Sequence, residues 1–247
     1  MKLMEYGTKN QDVIMLLHGG GLSWWSCREA AEMLQEEYHV ILPVLDGHAE
    51  SERDFTSIED NAAALIGLID ERFQGSVLLV AGLSLGAQIV VEMLSQRPKL
   101  CRYAIAESAL VEPMRLTQWL VKPMIGMSYW MIHRDWFSAL QFQALGLMDE
   151  LREAYVRDTR RITRKNLISF LEANAGYQLK PCIRQTEARV WIFVGAKEQP
   201  RMLRSARMLN KAIEGSVMEV KAGMSHGDFS INHAAEYVRK INSILKE

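Results

Sequence analysis

The feature that most constrains this 247-residue chain is an alternation between short, wholly apolar runs and longer stretches with apolar residues at helical spacing. Val13–Leu17, Val40–Leu42, Val77–Ala81, Tyr103–Ala106 and Val190–Val194 read as strands, and Ser216–Val220 as a sixth. A strand that is apolar on both of its faces must be covered on both, which happens in parallel sheets flanked by helices. Between the runs, residues from about Ser26 to Glu37 read as a helix with Ala30, Met33 and Leu34 on one face. Thr56–Phe73 carries the stripe Ile58, Ala62, Leu65, Ile66 and Ile69, with Thr56 or Ser57 able to cap its start. Ala87–Ser95 and a terminal segment from about Ile231 to Leu245 complete the helices. The fold class is α/β, a mostly parallel central sheet flanked by helices.

One segment breaks the rhythm. Pro113 and Pro181 bracket 67 residues without a credible strand, enough for three or four helices. Structureless loops of that length are rare, so an inserted helical cap over 113–181 is expected, with 1–112 and 182–247 forming the core. The insertion holds three of the six tryptophans (Trp119, Trp130, Trp136) and five of the fourteen methionines. Such residues suit either an apolar ligand pocket under the cap or the packing of cap against core. Its charged second half, Asp149–Lys165, reads as a solvated helical face.

Charge narrows the partners. Lys and Arg number 29 against 30 Asp and Glu, so the basic excess that a general nucleic-acid binder needs is missing. No stretch reaches the roughly 20 apolar residues of a membrane span. Cys27, Cys101 and Cys182 are too few and too scattered for a disulfide framework or a zinc site, and their odd number fits a reducing compartment. The N-terminus has no apolar core of signal-peptide length, so a cytoplasmic protein acting on a small molecule is expected. An apolar cap face could also pair two copies of the chain.

The chemistry centres on Gly82-Leu83-Ser84-Leu85-Gly86, a G-x-S-x-G pattern placed after a strand and before a helix. A serine at so sharp a turn needs small neighbours, and the helix N-terminus behind it favours negative charge. Its hydroxyl needs a base. Of six histidines, His39 and His233 read as structural or exposed, His18 belongs to the Gly19-Gly20-Gly21 turn, and His48 to the loop after the second strand. His226 follows the last strand, on the sheet edge where α/β proteins place their sites, and is the expected base. Glu198, beyond the Val190–Val194 strand, is the expected acid that orients it; Glu107 is the rival, with Asp228 behind. The amide of Leu85, next to the nucleophile, is one expected oxyanion donor, and the glycine turn supplies backbone that can approach a ligand. That turn lacks the Gly-Lys-Ser/Thr ending of a phosphate loop and the G-x-G-x-x-G of a dinucleotide site. No metal or organic cofactor is called for.

Leu17-His18-Gly19-Gly20-Gly21, Leu45-Asp46-Gly47-His48-Ala49-Glu50-Ser51, the elbow at Ser84 and Ser225-His226-Gly227 together resemble the α/β-hydrolase superfamily over nearly the whole chain. The resemblance implies a triad of Ser84, Glu198 and His226, oxyanion donors at Gly20 and Leu85, and a cap like that of small carboxylesterases. Leu83 stands where many members have histidine, and Glu198 where aspartate is commoner. The implied activity is hydrolysis of an ester or thioester with a small, apolar acyl or aryl group, through an acyl-enzyme. The same constellation would also serve a C–C bond hydrolase or an acyltransferase, and some receptors and scaffolds share the fold.

Overall fold

The computed structural model describes residues 1–246. Its strands are β1 (Leu3–Tyr6), β2 (Val13–Leu17), β3 (His39–Pro43), β4 (Val77–Leu83), β5 (Cys101–Glu107), β6 (Arg189–Gly195) and β7 (Val217–Lys221). They form one seven-stranded sheet in the order β1-β3-β2-β4-β5-β6-β7, parallel except for β1, which runs antiparallel to β3. The α/β class and the mostly parallel sheet are as the apolar runs imply. β1 was not expected: Leu-Met-Glu-Tyr is short, half-buried at the sheet edge, and shows no apolar run.

Strands β2 to β6 are mainly apolar because successive residues point to opposite faces and both faces are covered, whereas β7, at the far edge, carries Glu219 and Lys221 and is largely uncovered. On one face Ile14, Leu16, Leu79, Ala81, Ile105 and Phe193 pack against α1 (Arg28–Leu34) and α10 (Ala234–Leu245). On the other, Met15, Leu17, Val80, Ala104 and Ile192 meet α2 (Ile58–Phe73), α3 (Leu85–Gln96) and α8 (Pro200–Ala212). Ser57 caps α2, its hydroxyl accepting from the Asp60 N–H at 3.0 Å. One helix reading is corrected. The first helix is shortened by a 3-10 turn at Trp24–Cys27, and Met33 is 44% exposed, the inward face being Ala30, Ala31 and Leu34. The terminal helix is as read, α10 starting at Ala234, and a short α9 (Asp228–Ile231) precedes it.

Between β5 and β6 the chain forms α4 (Arg115–Ser128), α5 (Asp135–Ala144), α6 (Arg152–Thr159) and α7 (Arg164–Gly176), a helical insertion. Residues 149–165 are not one solvated face. They make a 3-10 turn, α6 and a break, and Tyr155, Asp158, Thr159 and Ile162 are buried. The reason is a tie to the core: the buried Trp25 indole N–H donates to Asp158 Oδ2 at 2.9 Å, while Arg157 Nε donates to Oδ1 at 2.6 Å. On α7, Asn166 Oδ1 accepts from the Phe55 N–H, and Phe170 stacks on His48 with ring centroids 4.7 Å apart. The insertion is thereby held over the C-terminal ends of β2 to β4.

Chain order makes those ends meet. From β2 the chain passes outward to β3 and then returns to β4 on β2's other side, so the loops after β2 and β4 leave the sheet side by side. Trp25→Phe, which removes the indole donor and leaves the Asp158 carboxylate short of a partner, is expected to cost about 2 kcal/mol of stability. Urea denaturation checks this as a lower midpoint at unchanged slope.

Candidate active site

The turn from β4 to α3 is held by backbone contact. A Cβ on Gly86 would lie 2.5 Å from the His18 carbonyl oxygen and 2.6 Å from that of Leu17, and one on Gly82 would lie 2.5 Å from Gly86. Ser84 sits at φ 54°, ψ −114°, a strained conformation for a residue with a side chain. Its N–H donates to the Glu107 carbonyl at 2.8 Å, which anchors the turn to β5. At the first turn of α3, the Leu85 N–H has no helical partner.

Glu198 and His226 meet across the loops after β6 and β7. His226 Nδ1–H donates to Glu198 Oε2 at 2.7 Å, leaving Nε2 as the basic nitrogen. Glu198 Oε1 accepts from the Ser108 hydroxyl and from the Gly195 N–H, both at 2.7 Å. Burial pushes this carboxyl up, but the hydrogen bond and charge of His226, with Ser108 and Gly195, outweigh it and hold the group below its ordinary value. It is therefore ionised at neutral pH.

The other two acids are engaged elsewhere. Asp228 Oδ2 accepts from the Ser225 N–H at 2.7 Å and Oδ1 from the Asn232 amide. Glu107 lies beneath the turn, with Oε1 accepting weakly from the Ser230 N–H at 3.4 Å and Oε2 without a partner. Burial pushes its carboxyl up to about 7, so it is substantially protonated near neutrality.

The glycine turn after β2 is fixed by two imidazoles. His18 Nδ1–H donates to the Gly19 carbonyl, and its Nε2 accepts from the Leu45 N–H at 3.1 Å. His48 Nδ1–H donates to the Asp46 carbonyl, and its Nε2 accepts from the Gly21 N–H at 3.0 Å. Burial drives His18 down to about 3 and His48 to about 4, so both stay neutral and keep an acceptor nitrogen for those amides. A Cβ on Gly20 would lie 3.5 Å from the Leu85 side chain, which places Gly20 against the elbow.

Ser84, Glu198 and His226 line one cavity of about 590 Å³, together with Met114, Asn174 and Met202. No hydrogen bond joins Ser84 to His226 among the described residues; the two share the cavity's walls. A second cavity of about 390 Å³ lies under the insertion, lined by Gly20, Ile125, Ile132, Leu167, Phe170 and Leu171. Ala144 and Leu145 line both. Trp119, Trp130 and Trp136 neither line these cavities nor pack against the core: all three are exposed, against both readings of the sequence. Ser108, the third residue on the acid, was missed; its only sequence signal is a serine closing the strand beside the elbow. Among the described residues no group of three or more His, Cys, Asp or Glu side chains is placed to hold a metal ion.

The family model described as "Alpha/beta hydrolase family" matches residues 14–240. Among solved structures, an esterase from Exiguobacterium antarcticum superposes with a TM-score of 0.83 at 17% identity, over 99% of this chain and 95% of that one. MenH from S. aureus superposes at 0.79 and 16% identity, over 99% and 97% of the two chains. The enol-lactonase from Burkholderia xenovorans LB400 gives 0.78 and 16%, over 100% and 96%. At these identities the likeness is one of fold. No curated protein sequence matches the chain.

Glu107 makes stability pH-dependent in a definite sense. Its folded-state value is raised from 4.5 to about 7, so the folded chain keeps a proton that the unfolded chain has lost. Ionisation then opposes folding, and stability is shed as pH rises through that window. Glu107→Gln removes the effect, so the variant should gain on the parent by up to about 3 kcal/mol between pH 4 and pH 8. Any constant cost of the amide cancels in that slope. Thermal melts of both proteins across the range check it.

Proposed function

The chain belongs to the alpha/beta hydrolase family, and we propose that it is a serine esterase acting on small esters or thioesters with an apolar acyl or aryl group. One observation carries the reading: a strained serine shares a cavity with a histidine whose Nδ1 is bound by an ionised, buried carboxylate. In the reaction Ser84 Oγ attacks the substrate carbonyl as His226 Nε2 takes its proton. The tetrahedral oxyanion is met by the amides of Gly20 and Leu85, at the N-terminal end of α3. His226 then returns the proton to the leaving alcohol or thiol. Water, deprotonated by the same nitrogen, attacks the acyl-enzyme and releases the acid. Through both steps Glu198 keeps the imidazole in one tautomer and stabilises its charged form.

Two further points support the assignment of parts. The three groups follow the C-terminal ends of β4, β6 and β7 in the chain order serine, acid, histidine, as in other α/β-hydrolases. The mostly apolar cavity under the insertion begins at Gly20, so an acyl or aryl group bound there would bring its carbonyl to the donors.

Treatment with a fluorophosphonate should give a single adduct on Ser84, alongside turnover of a p-nitrophenyl ester. Ser84→Ala should abolish both. An adduct elsewhere, or wild-type turnover by that variant, would overturn the reading. Glu198→Gln is expected to lower kcat by roughly 10³–10⁴; a near-normal rate would dismiss Glu198 as the acid. Leu171→Trp, which narrows the cavity under the insertion, should raise KM for long acyl chains and leave acetate esters nearly unchanged. Steady-state kinetics on a chain-length series checks this.

A further inference from the structure

Helix α4 has two unlike faces. Val121, Ile125, Ser128 and, in the following 3-10 turn, Ile132 face inward, and three of these four line the cavity under the insertion. On the opposite side Leu116, Trp119, Pro123, Met127 and Trp130 recur at intervals of three and four residues, one stripe along the helix. That stripe lies open: Leu116 is 71% exposed, Trp119 74%, Met127 80% and Trp130 57%. Met124 beside it is exposed too, and α5 adds the exposed pair Trp136 and Leu140. A soluble monomer seldom leaves so many large apolar side chains together in water.

The charge around the stripe selects its occupant. From Pro113 to Arg134 the chain has three cations, Arg115, Lys122 and Arg134, and no Asp or Glu, in a protein whose net charge is −1. Arg134 lies over the Trp130 ring at 5.6 Å, while Arg115 and Lys122 have no ion-pair partner among the described residues. An isologous pairing through this stripe would set these cations against their own copies, the flanking acids Glu112 and Asp135 being already paired with Arg201, Arg204 and Arg160. Tryptophan and methionine at the level of the headgroups, flanked by Lys and Arg, match instead the chemistry of an anionic lipid surface. We propose that the outer face of α4 docks this protein on an anionic phospholipid bilayer, with Trp119, Met127 and Trp130 entering the interface and Arg115 and Lys122 meeting the phosphates. No helix among the described residues is long and apolar enough to cross a membrane, so the association is peripheral. The proposal does not depend on the esterase reading, because binding is measured without substrate.

The test is co-sedimentation of the full chain with vesicles of phosphatidylcholine alone and of phosphatidylcholine with about 30 mol% phosphatidylglycerol. Binding is expected to the anionic vesicles only, with a blue shift of tryptophan emission, and to weaken as salt is raised. Lys122→Glu should lower the partition coefficient on the order of tenfold. The double variant Trp119→Ser, Met127→Ser should abolish binding while its melting temperature and its hydrolysis of a soluble ester stay unchanged, since neither residue lines a cavity. Absence of binding to the anionic vesicles, or binding that survives the double variant, would overturn the proposal. So would sedimentation of the parent as a dimer that the double variant converts to monomer, because the stripe would then belong to a second copy.

Discussion

Everything at this site depends on how closely two pieces of backbone approach. Gly86, at the start of α3, lies against the carbonyls of Leu17 and His18 at the end of β2, with no room for a methyl group between them. That contact is possible only because the order of strand addition reverses at β2, setting the loops after β2 and β4 next to each other. It forces the sharp turn that holds Ser84 at positive φ and brings Gly20 up against Leu85. Strain at the serine is thus a consequence of packing that the surrounding strands enforce, and the ladder on both sides of β4 resists its relaxation.

The same geometry occurs twice, on adjacent strands. Ser84 closes β4 at φ 54° and Ser108 follows β5 at φ 55°; each N–H donates at 2.8 Å to a carbonyl of the next strand, Glu107 and Phe193. One serine presents its hydroxyl to a cavity, and the other turns its hydroxyl onto the Glu198 carboxylate. Two glutamates near one histidine are consequently shifted in opposite directions. Glu198 is given three hydrogen-bond donors and is held below its ordinary value, whereas Glu107 has a single weak donor and an unpartnered oxygen and is pushed by burial up to about 7. Of the two, Glu198 is the one bonded to His226, so position and environment rather than residue type distinguish these carboxyls.

Much of this was readable because it rests on local pattern. Strands β2 to β6 announce themselves by runs that are apolar on both faces, and the elbow by glycines that no other residue could replace. β1 was not legible, since an edge strand half-covered on both faces needs no apolar run. Met33 was assigned inward because periodicity cannot tell which side of a short helix the neighbouring helix covers. Residues 149–165 looked solvated because Asp158, a charged residue, is buried by Trp25, a partner 133 positions away that no window of sequence contains. Ser108 and the roles of His18 and His48 are hidden for a similar reason: their partners come from other strands and loops.

The tryptophans of the insertion mark where composition misleads most. An apolar residue in a segment that must cover a core is ordinarily read as part of that core, and here the assumption fails for all three. The inward work of α4 is done by Val121 and Ile125, side chains of modest size, so the helix would close the cavity equally well with a polar outer face. Nothing in folding requires Leu116, Trp119, Met127 and Trp130 in water, and exposed apolar surface of that extent carries a standing risk of association. A stripe that packing does not need, with cations beside it and its flanking acids, Glu112 and Asp135, already paired, is better accounted for by something outside the molecule. Because the other side of the same helix lines the apolar cavity, whatever meets the outer face lies one helix diameter from the space where an apolar group would bind, roughly 10 Å.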